Sequence, residues 1–231
     1  HSIPAPEKLL EQWSADAIRF WTASGTLGTD VAFSEPQLKI GQRLITKLWN
    51  AFRFMHQHLE NFDSQGDSTN LDAVNEWILH KVNNTFNAFE KDLERKEFGL
   101  ALNHIDSFFW HDFCDNYLEL IKNRLFNPDD YQPEVIAATK YTLYWVGLRI
   151  LQLYAPFLPF ITEQLYQKLY RKDIKIPSIH RTTFNEIQTT QQFDQSAQEL
   201  EKLLEIVAKV RKLKSTGQLS LGTPIVTLTI C

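Results

Sequence analysis

Arg43, Lys47, Asn50 and Phe54 recur at steps of four, three and four within RLITKLWNAFRF, residues 43–54. At about 100° per residue this spacing sets them on one side of a helix, with Arg53 at the edge of the stripe. Two fixed charges, a side-chain amide and an aromatic ring suit an unpaired nucleic-acid loop. The cations meet phosphates, the amide meets base edges, and the ring offers a stacking surface. The plain alternative is a solvated helix face whose Phe54 packs on a neighbour, and spacing alone favours it, because charged stripes usually just face solvent. A second stripe, Leu38, Gly41, Ile45, Leu48, Phe52, Met55 and Leu59, is apolar and gives the same helix a face for packing.

Other chemistry-bearing residues are weaker candidates. In HDFCD, His111, Cys114 and Asp115 stand at i, i+3 and i+4, with His104 two turns upstream. All are metal-ligand types, but a zinc site normally gathers four convergent ligands. The other cysteine, Cys231, is far off in sequence, so Cys114 reads as a small buried apolar residue and no metal is expected. His56 and His58, two apart on a helix, point in different directions and read as surface residues. No Ser or Cys sits in a nucleophile-elbow setting, and nothing pairs two carboxylates across a cleft. No catalytic residue is expected in this chain. A basic run, Lys209, Arg211, Lys212 and Lys214, either reaches a nucleic-acid backbone or is a solvated helix end.

Composition limits the classes. The chain has 231 residues with a 43% hydrophobic and 13% aromatic content, enough for a sizeable core. Gly is scarce at 8 residues, and no Gly-rich phosphate loop is present. Net charge is −4 and the pI about 6.0, so any nucleic-acid binding must use a local patch rather than a generally basic surface. Two cysteines suggest no disulfide framework and fit a reducing cytoplasm. No run reaches membrane-spanning length and no signal-peptide pattern appears. HSIPAPEKLL at one end and PIVTLTIC at the other both look cut from something longer.

The elements that must position these residues are helical. Pro6 opens a short helix, EKLLEQW; Ser14 caps the next, ADAIRFWTAS, with Gly25 at its end. GTLGTDVAF lacks helical periodicity and reads as an extended loop. Ser34, Glu35, Pro36 and Gln37 form a capping-box pattern that starts the helix carrying Lys47. Long helices follow over about 71–95, 98–126 and 133–155, the last apolar around much of its circumference, with a fifth started by Pro159. The expected fold is mainly α, an antiparallel helical bundle. Beyond Tyr170 the pattern changes: a possible extended piece over Ile179 to Phe184, an amphipathic helix over Gln191 to Lys214, and a strand-like PIVTLTI make a short α+β element at the C-terminal end.

Four stretches carry a family likeness. SADAIRFW (14–21) resembles the G-A-D-A-L-R segment that follows the Lys-Met-Ser-Lys-Ser loop of class I aminoacyl-tRNA synthetases. TKLWNAFRF (46–54) is similar to the N-K-L-W-N-A-x-R-F helix of their anticodon-binding domain, and DFCDNYLELIK (112–122) and APFLPFITEQLY (155–166) resemble two further stretches of it. They occur in the family's order and at its spacing, and the resemblance covers nearly the whole chain. Within the class, GTDVAFSE, DFCDNYLEL, the SIH of 178–180 and VRKLKSTGQLSLGTP resemble the valine-specific branch rather than the isoleucine or leucine ones.

The resemblance implies a connector over 1–33, a helical anticodon-binding bundle over 34–171, and over 172–231 the entry to a C-terminal region. It implies valine tRNA isoacceptors as the partner, with the catalytic and editing domains of the same chain beside it. ATP and magnesium would serve the parent enzyme, a cytoplasmic monomer, and neither belongs to this part. It raises Lys47, Arg53 and Phe54 to candidate tRNA-binding residues. Arg43 joins them, and Asn50 serves either as a base reader or as a buried brace of the bundle. Arg19 and Asp16 are implied to form an ion pair or cap that fixes the catalytic domain's orientation, and Trp110, Phe113 and Tyr117 to lie in the core. Against the synthetase reading stands a helical module that binds a partner protein through an amphipathic groove.

Overall fold

The computed structural model describes residues 5–25, 28, 33–60, 62–64, 71–184, 193–220 and 222–229. Two short helices, α1 (Pro6–Gln12) and α2 (Ala15–Ala23), lead into α3 (Glu35–His58) and α4 (Ala73–Glu94). Next, α5 (Phe98–Ser107) continues through a π-helical segment, Phe108–Tyr117, into α6 (Leu118–Phe126). Then come α7 (Pro133–Tyr154), α8 (Pro159–Leu169), the single turn α9 (Arg171–Ile174) and α10 (Asp194–Thr216).

The expected start signals are in use. The Ser14 hydroxyl accepts from Ala17 N–H at 3.2 Å and Ser34 from Gln37 N–H at 3.4 Å, while Asp72 caps α4 through Asn75 N–H at 3.0 Å. Proline occupies the first turn of α1, α3, α7 and α8, where its missing N–H leaves no bond unmade. Of the apolar stripe of α3, Leu38, Gly41, Leu48, Phe52 and Met55 are shielded from solvent, Ile45 and Leu59 are partly buried, and Leu44 joins the buried face from beside the stripe. Helix α7 is the hub. Leu143, Val146, Leu148, Ile150, Leu151, Leu153 and Tyr154 point to several sides of it and all are buried, each such side chain contributing about 1.5–3 kcal/mol.

Buried tyrosines tie the helices together. Tyr117 donates to Asn75 Oδ1 at 2.9 Å, Tyr154 to Asp106 Oδ1 at 2.6 Å and Tyr170 to the Tyr144 carbonyl at 3.1 Å. Two small residues set close crossings. A Cβ on Gly41 would lie 3.2 Å from Ala17 Cα, so α2 and α3 touch nearly backbone to backbone. One on Gly147 would fall 2.2 Å from Met55 Cε and 2.5 Å from Tyr170 Oη, which fixes how α7 meets α3 and the start of α9.

Several expectations change. The third long helix is under-wound through its middle, where bulky aromatics take i→i+5 bonding. Its buried residues Ile105, Phe109, Phe113, Tyr117, Ile121 and Leu125 recur strictly every four positions. In an unbroken α-helix each such step drifts by about 40°, carrying the row roughly 200° around the axis. The wider turn returns it to one face. Ile179 to Phe184 is not extended, because Ile179–Arg181 closes a 3-10 turn capped by Ser178. Among the described residues 222–229 no strand forms, since the alternating pattern has no neighbouring strand to pair with. The loop expected over 25–33, Gln191 and Cys231 lie largely or wholly outside the described residues.

Asp16 and Arg19 are also redirected. The buried Asp16 carboxylate accepts from Ile161 N–H at 2.7 Å and Phe160 N–H at 3.3 Å, so it caps the first turn of α8. Arg19 donates to the carbonyls of Pro156 at 2.9 Å and Phe157 at 3.1 Å. Together they lock α2 onto the APFLPFI corner of this same bundle. Burial raises the Asp16 carboxyl above its ordinary range, partly offset by those two backbone bonds and by Arg19.

Candidate nucleic-acid interface

Helix α3 divides its polar residues between two grooves and an aromatic cluster. On one flank Arg43, Lys47 and Asn50 line a groove of about 510 Å³ with Lys39, Gln42 and Thr46. Trp13 and Trp110 complete its walls. The Lys47 ammonium stands 5.5 Å from the centroid of the Trp110 ring, within cation–π range. Lys39 is neutralised by Glu35 at 2.9 Å, whereas Arg43 and Lys47 have no carboxylate partner among the described residues. The groove therefore offers uncompensated positive charge, amide groups at Gln42 and Asn50, and indole surface. An anion with a flat unsaturated ring attached fits that inventory.

Arg53 lies elsewhere. It lines a smaller groove of about 200 Å³ on the α8 side, with Trp49, Phe52, His56, Leu165, Lys168 and Leu169. There Lys168 covers the Trp49 ring at 5.0 Å, a second cation on an indole. Phe54 joins neither groove. Its ring packs on His58 at 4.6 Å and Phe126 at 6.1 Å, and His58 meets Phe126 edge-on at 4.9 Å. Phe126 is 59% exposed, so this cluster presents an aromatic knob at the end of α6. Burial, with Lys140 nearby, lowers the His58 pKa.

Asn50 is exposed rather than buried in the bundle, whereas Asn75, which accepts from Tyr117, and Asn83 are buried. Phe113 and Tyr117 are in the core as expected, but Trp110 is only partly buried, turned to the α3 groove by the π-helical segment. Sequence reading missed Trp110, Trp13 and Phe126 as surface aromatics. For Trp110 and Phe126 the signal was their place beside Phe109 and Leu125 of the apolar row, while Trp13, at the end of a short helix, carried none. Of the distal basic run, Arg211 donates to the Asp115 carbonyl at 3.3 Å and to Asn116 Oδ1 at 3.4 Å, fastening α10 to the π-helical segment. Lys209 and Lys212 remain exposed. Cys114 is buried and its thiol is pushed up to about 12, with desolvation the main cause. Among the described residues no group of three or more His, Cys, Asp or Glu side chains could hold a metal ion.

The family described as the anticodon-binding domain of tRNA ligase matches residues 75–230. The chain belongs to that family. This anticodon-binding domain is also similar along its length to proteins named valine–tRNA ligase. It is 36% identical to that of Rickettsia conorii (strain Malish 7) over 97% of this chain and 28% of the relative. Identity is 38% to that of Ehrlichia ruminantium (strain Welgevonden), over 97% of this chain and 27% of the relative. To that of Rickettsia canadensis (strain McKiel) it is 37%, over 99% of this chain and 29% of the relative. The anticodon-binding domain thus spans well under a third of these relatives. In fold it is similar to LeuRS of Agrobacterium radiobacter K84, solved as a ternary complex with tRNA and LeuAMS. That match has a TM-score of 0.55 at 16% identity and covers 80% of this chain and 21% of the other. Helix α3 precedes the family-matched residues, so its grooves are carried by the full-length likeness to the valine–tRNA ligases. No helix among the described residues is long and apolar enough to cross a membrane.

Proposed function

We propose that this domain holds the anticodon loop of valine tRNA for a valine–tRNA ligase, an ATP-dependent enzyme that joins valine to its tRNA through valyl-adenylate. The observation that carries the reading is the likeness to valine–tRNA ligases over 97% of the chain. The basic, indole-lined groove on α3 supports it physically. In this reading residues 1–33 are the connector from the catalytic domain, 34–171 bind the anticodon, and 172–231 lead to the C-terminal region.

Arg43 and Lys47 meet phosphates of the loop, Asn50 reads a base edge, and Arg53 and Phe54 contact the loop from the other groove and the aromatic knob. Lys209 and Lys212 reach backbone phosphate, while Arg211 is occupied in holding α10. ATP and magnesium serve the parent's catalytic domain, and the parent works as a cytoplasmic monomer. The domain supplies tRNA binding and no bond chemistry, so the chain alone should show no valine-dependent ATP–pyrophosphate exchange. Titration with RNA hairpins tests the reading. A hairpin with a valine anticodon should bind more tightly than ones with isoleucine or leucine anticodons, and affinity should fall with rising salt by a slope of a few units. Equal affinity for all three, or no salt dependence, would refute it.

A further inference from the structure

The groove between α3 and the π-helical segment contains a pairing that the phosphate and edge contacts above do not use. Trp110 is an indole on the wall of a cavity of about 510 Å³, partly open to solvent, in a π-helical segment whose other aromatics are buried. Its buried neighbour Phe109 meets it edge-on at 6.0 Å. Over that ring stands a single cation, Lys47, with no carboxylate to anchor it among the described residues. Arg43 lies one turn along α3 on the same wall, likewise without a carboxylate partner among the described residues.

We propose that Trp110 is a stacking platform for one unpaired base of the RNA loop, and that Lys47 is its removable cover. This rests on the tRNA reading of the domain given above. In the free chain the ammonium rests on the indole face, satisfied by the ring's negative quadrupole. An incoming loop brings a phosphate, which binds the ammonium more strongly than a neutral ring does. The ammonium is handed to the phosphate, and the indole face it leaves takes the flat surface of the adjoining base. One lysine thereby couples backbone contact to base contact. The flexible lysine stem allows the move, and the π-helical segment, fixed by the buried Phe109, Phe113 and Tyr117 rings, keeps the platform still.

The test uses the 231-residue chain and an RNA hairpin carrying a valine anticodon. Trp110→Ala should weaken binding about 5- to 100-fold, in the range of one base–aromatic stack, with the salt slope unchanged. Trp110→Phe should recover most of that loss. Lys47→Met should lower the salt slope by about one unit while leaving the stack in place. Tryptophan emission gives a readout that a purely structural role would not move. Saturating hairpin should quench the unaltered chain and Lys47→Met alike, and the part of the quench due to Trp110 should vanish in Trp110→Phe. If the unaltered chain binds the hairpin but Trp110→Ala binds equally well, the platform is overturned and the tRNA reading stands. Should Trp110→Ala not fold, an identical quench in Trp110→Phe and the unaltered chain overturns the platform instead. No binding by the unaltered chain overturns the tRNA reading and this site with it.

Discussion

A phenylalanine on a charged helix can serve the bundle or its ligand, and among the described residues the Phe54 ring meets the rings of His58 and Phe126, half-shielded rather than buried. Phe54→Ala should therefore remove about 1–3 kcal/mol of hairpin binding. It should lower stability by less than the 3–5 kcal/mol typical of a fully buried Phe. Isothermal titration and thermal unfolding of the same variant separate the two. Asp106 allows a cleaner residue-scale experiment. Burial raises its carboxyl to about 6 although Tyr154 donates to it, so between its ordinary value near 3.8 and about 6 the folded chain holds a proton the unfolded chain has released. Stability from this group is greatest below that window and falls as pH rises through it. Asp106→Asn keeps an acceptor for Tyr154 and should gain on the order of 1–3 kcal/mol over the unaltered chain above pH 6, with the difference fading toward pH 4. Melts at a series of pH values would show it.

At the level of elements, capping and periodicity were readable because they are local. Ser14, Ser34 and the opening prolines start their helices as their chemistry requires, and α3 buries most of the stripe that its spacing marks. What escaped was set by contacts between elements. The single stripe of Arg43, Lys47, Asn50 and Phe54 becomes groove and knob because Trp110 comes against one stretch of it and Phe126 against another. The resemblance implies that Asp16 and Arg19 orient a catalytic domain, yet the partners seen are backbone groups of Pro156 to Ile161, which no residue pattern announces. The run of fours from Ile105 to Leu125 did carry a signal for the under-wound helix, legible only by following its drift over all six positions. The crossings between helices are equally specific. Gly147→Ala must push aside Met55 and the Tyr170 hydroxyl, and overpacking of this kind costs about 1–3 kcal/mol. A lowered Tm with unchanged hairpin affinity per folded molecule is the expected result.

For the whole molecule, a net charge of −4 opposes RNA at long range, so the few uncompensated cations must do disproportionate service. The dependence of log affinity on log salt should be shallow, with a slope of only a few units, and Arg43→Ala should flatten it by about one. A steep slope that neither Arg43→Ala nor Lys47→Met alters would point to another face, with Lys209 and Lys212 the next residues to exchange.

The latch between Asp16 and Ile161 joins residues 145 positions apart. At a synthesis rate of roughly 5–20 residues per second, a ribosome would need on the order of ten seconds to deliver the second half after the first. Through that interval α2 can rest on α3, where Gly41 admits Ala17, but Asp16 has no amide to cap and Arg19 no carbonyl to hold. The latch is thus closed by the arrival of α8, and a nascent chain halted before it would hold Asp16 and Arg19 without these partners.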